Sequence, residues 1–145
     1  MIQREYPLAG RELDREVAER LMGWTVREEE EQGLYTVRDG RGYAVDAPIL
    51  AVRESDAWAE LCPHYSTDIA AAWSVLRECY RRWPFSIHVH IMPSLTNGHW
   101  VACDIFRSPT GKQARGEVTS IDQVPEAICR AALMALDAAG AGEEG

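Results

Sequence analysis

The sequence predicts one α+β domain, an α/β/α sandwich with helices on both faces of an antiparallel sheet of about four to five strands. Three observations lead there. Apolar residues recur at helical spacing in three segments, near 10–22, 69–83 and 123–138. Between these segments the period falls to two, in runs rich in β-branched and aromatic residues. Turn signals, Asn97-Gly98 and the DGRG at 39–42, separate the runs and mark hairpins, which make antiparallel neighbours. The 145 residues suit a single domain over 1–139, with GAGEEG at 140–145 as a flexible tail.

Each element has its own reason. Leu13, Val17, Leu21 and Trp24 form the apolar face of the first helix, and Gly23 caps its end. TVRE at 25–28 and LYTVR at 34–38 flank the turn-forming EEQG, and YAVD at 43–46 reads as a third short strand. The acid run Glu28 to Glu31 reads as a solvated strand end and loop. Residues 47–64 lack a period and read as a long loop with one helical turn around Asp56–Leu61, anchored by Trp58. In the middle helix Ile69, Ala72, Trp73, Leu76, Tyr80 and Trp83 form one continuous apolar stripe, which Pro84 ends. FSIHVHIM at 85–92 alternates strictly, with Phe85, Ile87, Val89 and Ile91 on one face and Ser86, His88, His90 and Met92 on the other. Pro93 places its residue at a sheet edge or a bulge, and apolar groups on both faces of the hairpin predict that both are covered. A further strand fits 114–120. The last helix takes Asp122 as cap and Pro125 in its first turn, and its alanine-rich face suits close packing on a sheet.

Composition limits function. The net charge is −8, from 23 acids against 15 bases, which argues against direct binding of a phosphate backbone and leaves imitation of a polyanion open. The first ten residues carry charge and no apolar h-region, and no apolar run approaches the ~20 residues of a membrane span, so a soluble cytoplasmic protein without membrane contact is expected. Cys62, Cys79, Cys103 and Cys129 form no CxxC pair and read as reduced, buried thiols.

Three motifs, RELDREVAERLMGW, YSTDIAAAW and PEAICRAALMAL, resemble in that order the phage ABA sandwich domain family, small proteins of phages and prophages. They span the first, middle and last helices. The resemblance implies helices on both faces of an antiparallel sheet, a phage or prophage origin and action in the host cytoplasm. It implies no enzyme activity and no catalytic residue.

Three constellations compete for a chemical role. Ser66, Thr67 and Asp68 lie at the start of the middle helix, where a hydroxyl caps free N–H groups, Asp68 meets the helix dipole and Tyr65 packs on the first turn; the same N–H groups suit an anion. His88 and His90 project from one strand face, and with Asn97-Gly98 as the turn, His90 lies opposite Ile105 and Cys103 opposite Met92, bringing Cys103 to that face as a third metal ligand. For nucleophilic catalysis there is no GxSxG elbow, and Gly111-Lys112 lacks the P-loop glycine, since Phe106 stands at its place. No enzyme activity and no cofactor are therefore expected.

The leading expectation is a non-enzymatic protein that captures a small ligand, a nucleotide-derived immune signal by analogy, through Trp58, His64, Tyr65, Ser66, Thr67, Arg81 and Arg82. Arg77 adds a further cation near that helix end. The alternative is an interaction module or acidic mimic that inhibits a host protein through the 47–65 segment and the Glu28–Glu31 run. A metal-dependent hydrolase using His88 and His90 is the third. A symmetric homodimer is the default assembly for a small ligand-binding protein.

Overall fold

Helix α1 (Arg11–Arg20) buries Leu13, Val17 and Ala18 and ends at Gly23, whose φ of +78° lets the Trp24 N–H donate back to Ala18 O at 2.8 Å. The structure, a computed structural model, describes residues 6–28, 34–45, 49–51, 53–84, 86–94, 98–108, 111 and 113–140. The expectations for Glu29–Glu31, Phe85, Asn97 and 141–145 lie outside them.

After α1, β1 (Thr25–Glu28) pairs antiparallel with β2 (Leu34–Arg38), as the TVRE and LYTVR runs predict, and β2 pairs with β3 (Ile49–Leu50). YAVD supplies one bridge, Arg38 to Ala44, instead of a strand. The reason is the DGRG turn: Asp39 Oδ1 accepts from the Arg41 and Tyr43 N–H groups, which winds the chain tightly there. Gly40 of this turn lies so close to the Met22 carbonyl that a Cβ has no room.

The supposed loop at 47–64 contains a helix, α2 (Glu54–Leu61), longer than the single turn expected. Asp56 accepts from the Arg53 N–H at 3.2 Å and starts it, and α2 packs on β1 and β2. Trp58 anchors the segment as expected, with 2% of its surface exposed.

Helix α3 (Ile69–Arg82) leads into β4 (Ser86–Ser94), β5 (Gly98–Phe106) and β6 (Gln113–Val118), an antiparallel sheet ordered β4-β5-β6. A 3₁₀ turn (Ile121–Gln123), opened by Ser120 Oγ accepting from the Asp122 N–H, precedes α4 (Val124–Gly140). Ser120 thus makes the side-chain cap assigned to Asp122. The fold is α+β and its sheets are antiparallel; the six strands seen among the described residues divide into two sheets of three, where the sequence suggested one sheet of four to five.

Odd-numbered residues of β4 and β5 share the face on which the helices pack. Val101, Cys103 and Ile105 are fully buried there against Ala127, Ile128, Ala131 and Leu133 of α4. Each fully buried aliphatic side chain of this kind contributes about 1.5–3 kcal/mol. Helix α4 sits closest at Gly116 of β6. A Cβ at Gly116 would collide with the Ala127 carbonyl and lie 2.9 Å from Ala131 N. The opposite, even-numbered face carries His88, His90, Arg115 and Glu117, with Ala102 and Asp104 buried among them. There the long side chains of the sheet itself shelter Ala102 and Asp104.

Gly116→Ala is expected to lower the unfolding free energy by about 3 kcal/mol, because backbone must move to admit the methyl group. Gly140→Ala, which meets nothing within 4 Å, is expected to stay within about 0.5 kcal/mol of the parent. Urea denaturation of the two variants measures both.

Candidate functional site

The segment expected to bind a ligand is tied instead to α1. Ser66 Oγ donates to Asp14 Oδ1 at 2.6 Å and accepts from the Gly10 N–H at 2.8 Å, and the Ser66 N–H also donates to Asp14 Oδ1 at 2.7 Å. Asp14 is wholly buried, so these bonds satisfy a carboxylate that has left water. Arg11 donates to Asp14, to the carbonyls of Trp58, Ala59 and Cys62, and to His64 Nδ1 at 3.0 Å. Tyr65 is 3% exposed and belongs to the core cluster. Thr67 is exposed. The cap of α3 is Asp68, whose Oδ1 accepts from the Ala70 N–H at 3.0 Å, in place of Ser66 or Thr67. Arg81 and Arg82 both pair with Glu78, and Arg82 also donates to the Leu21 carbonyl. Trp58, His64, Tyr65, Ser66, Thr67, Arg81 and Arg82 therefore do not converge on one opening: most are spent on internal bonds or packing.

The histidine face also differs from expectation. Ser94 pairs with Gly98, so three residues, 95–97, make the connection instead of a two-residue turn. The register moves by three, an odd number, which turns β5 over relative to the expected pairing. His90 faces Ala102, and Cys103 faces Val89 on the helix side, away from His88 and His90. Among the described residues no group of three or more His, Cys, Asp or Glu is placed to hold a metal ion. A salt-bridge network occupies the face instead. Arg115 grips Asp104 with two bonds, Nε to Oδ1 at 2.6 Å and Nη2 to Oδ2 at 2.9 Å, and lies over the Trp100 ring at 5.2 Å. His90 Nε2 reaches Asp104 Oδ2 at 2.9 Å, while His88 stacks on His90 and bonds Ser86 Oγ at 2.7 Å. Burial alone would raise the Asp104 pKa, but the hydrogen bonds and charge of Arg115, with those of His90, outweigh it and hold it below the usual carboxylate range.

An opening lies between α3 and β4. It measures about 430 Å³ and is lined by Trp73, Leu76, Arg77, Tyr80, Ile87 and Val89. The single apolar stripe expected on α3 is in fact two. Ala72, Val75, Leu76 and Cys79 enter the core, while Ile69, Trp73 and Tyr80 remain 52, 57 and 56% exposed. The width of the apolar arc was the sequence signal for this site: residues 69, 73 and 80 lie off the line of 72, 75, 76 and 79. On the strand, Val89 and Ile91 are 41 and 47% exposed. Arg77, between Trp73 and Tyr80, is exposed and has no hydrogen-bond or ion-pair partner among the described residues. The groove is thus an apolar, aromatic trough beside the Arg77 cation.

An α+β sandwich built on three helical motifs in this order defines a class of small phage domains. Residues 15–133 match the phage ABA sandwich domain, and the chain belongs to that family as a small phage protein. No curated protein and no solved structure matches it. No helix among the described residues is long and apolar enough to cross a membrane.

The four cysteines are free and buried, as expected, and burial pushes the thiols of Cys62, Cys79 and Cys103 up to about 12 and that of Cys129 well above its ordinary value. A thiol reagent at neutral pH is expected to find none of the four in the native protein and all four in denaturant, read by the absorbance of the released chromophore.

Asp104 has a depressed folded pKa, so the stability it contributes is complete above the ordinary carboxylate range and is lost as pH falls through the folded value. Asp104→Asn is expected to lower the melting temperature near neutrality and to flatten its decline on the acid side, measured by thermal unfolding across pH.

Proposed function

We propose that this is a non-enzymatic phage accessory protein that works by binding, with the α3–β4 groove as the ligand seat. The observation that carries the reading is the trough lined by Trp73, Arg77, Tyr80, Ile87 and Val89, of about 430 Å³. Ligand pockets commonly run from about 300 to 1,000 Å³, apolar with a few polar groups that orient the guest. Aromatic rings beside one free guanidinium suit a flat anionic molecule. A base stacked on Trp73 or Tyr80 gains about 1–3 kcal/mol, and Arg77 offers a fork for a phosphate. Capture of a nucleotide-derived signal in the host cytoplasm would serve counter-defence. The non-enzymatic reading is supported by the histidine face: Ser86 bonds His88 while Asp104 bonds His90, and Asp104 is already held by Arg115, so no single imidazole bonds both the serine and the acid there.

A second reading, binding to a host protein, is favoured by a separate observation. The nine-residue β4 is the edge strand of its sheet, and Val89, Ile91 and Met92 stand exposed on it.

Thermal shift and tryptophan fluorescence with cyclic nucleotides, ADP-ribose and peptides test the seat. A saturable rise in melting temperature is expected with one class, and its loss in Trp73→Ala, which removes an exposed ring and leaves the fold intact. A Trp73→Ala protein that binds as the parent does would put the ligand elsewhere.

A further inference from the structure

The groove has one wall made of helix and one made of a sheet edge that pairs with no further strand among the described residues. Residues of one parity in a strand turn both backbone groups to the same side. Pro93 has no N–H to give a ladder and shares its parity with Ile87, Val89 and Ile91. The N–H and C=O groups of these three therefore point away from β5, along the open edge. Their side chains face the helix side, and those of Ile87 and Val89 line the groove. An open row of donors and acceptors thus runs directly beside an apolar trough.

We propose that the groove takes an extended polypeptide segment of a partner protein, which joins β4 as a fourth strand and lays alternate apolar side chains beneath α3. This inference rests on the groove being the ligand seat. A new strand would lie about 4.7–4.9 Å from β4, with every second side chain turned toward Trp73 and Tyr80. Backbone bonds to Ile87, Val89 and Ile91 supply affinity, and the trough supplies specificity. The free edge extends past the groove to Ile91, so the guest runs through as an internal segment and does not end there. Arg77, uncommitted at the centre of the helical wall, selects an acidic side chain in the guest. The exposed parts of Ile69, Trp73, Tyr80, Val89 and Ile91 offer roughly 500 Å² on this protein. With the matching surface of the guest, about 1,000 Å² is buried, the size at which specific contacts begin.

The probe is a library of capped octapeptides that alternate threonine with a randomised apolar residue and carry one glutamate on the apolar side. Enrichment on the immobilised full-length chain is expected. The best peptide should quench or shift tryptophan emission and slow amide exchange at Ile87, Val89 and Ile91. Its Arg77→Gln complex should be about tenfold weaker, the loss of one charged contact. N-methylation of alternate peptide amides should abolish binding without any change to the protein. Binding that survives N-methylation, or leaves those three amides unprotected, overturns strand addition. A response to nucleotides with no enriched peptide overturns this inference and leaves the groove as the seat. No response to either, with Trp73→Ala indistinguishable from the parent, defeats both. Light scattering of the protein alone covers the remaining occupant: a dimer that Val89→Lys converts to a folded monomer would assign the edge to a second copy and overturn the partner segment.

Discussion

The contact of α4 with the sheet at Gly116 sets the spacing for most of the molecule. A glycine on β6 faces Ala127 and Ala131 on α4, and the absence of a side chain on one side and the smallness of those on the other bring backbone against backbone. Once α4 lies that low, Val101, Cys103 and Ile105 need no long side chains above them, and Ile128 and Leu133 fill the remaining space. Helices α1 and α3 then pack on α4, not directly on the middle of the sheet. Because α3 rests mainly on α4, it meets β4 only along a margin, and the trough opens there. Close packing in one place thus produces an opening in another.

A second constraint fixes the entry to α3. Asp14 and Arg11 leave α1 and meet the chain between Trp58 and Ser66 with hydrogen bonds to six groups, and they bond each other. Such a network is costly to break at Asp14, because each bond lost there leaves a buried carboxylate less satisfied. It holds the start of α3 to α1 and so holds Trp73 and Tyr80 at a set distance from β4. The stretch that looks reactive in the sequence, with its histidine, tyrosine and hydroxyls, is held in place by these bonds.

Helix periodicity carried the first, middle and last helices correctly, because a buried face at 3.6-residue spacing is a local property. The TVRE and LYTVR hairpin and the edge position of β4 were legible for the same reason. Register was not. Whether Cys103 shares a face with His90 depends on the length of a connection that a strong Asn-Gly signal misstated by one residue, and the pairing of strands is decided by packing across the sheet. Helix α2 was read as a single turn because Asp56 begins it through a local side-chain bond, while its apolar residues answer to two different neighbours. The groove was concealed by an assumption about α3: Trp73 and Tyr80 are apolar, and apolar residues at helical spacing were assigned to one core. The structure gives them to the surface, beside Arg77, where only tertiary arrangement distinguishes a core stripe from an exposed one.

The two stripes on α3 have an evolutionary consequence. Ala72, Val75 and Cys79 answer to folding, whereas Ile69, Trp73, Arg77 and Tyr80 have few internal partners, and the edge of β4 offers only backbone and three aliphatic side chains. Substitutions along the outer stripe can accumulate without loss of the native state. Members of such a lineage are free to vary this surface while the scaffold beneath it persists.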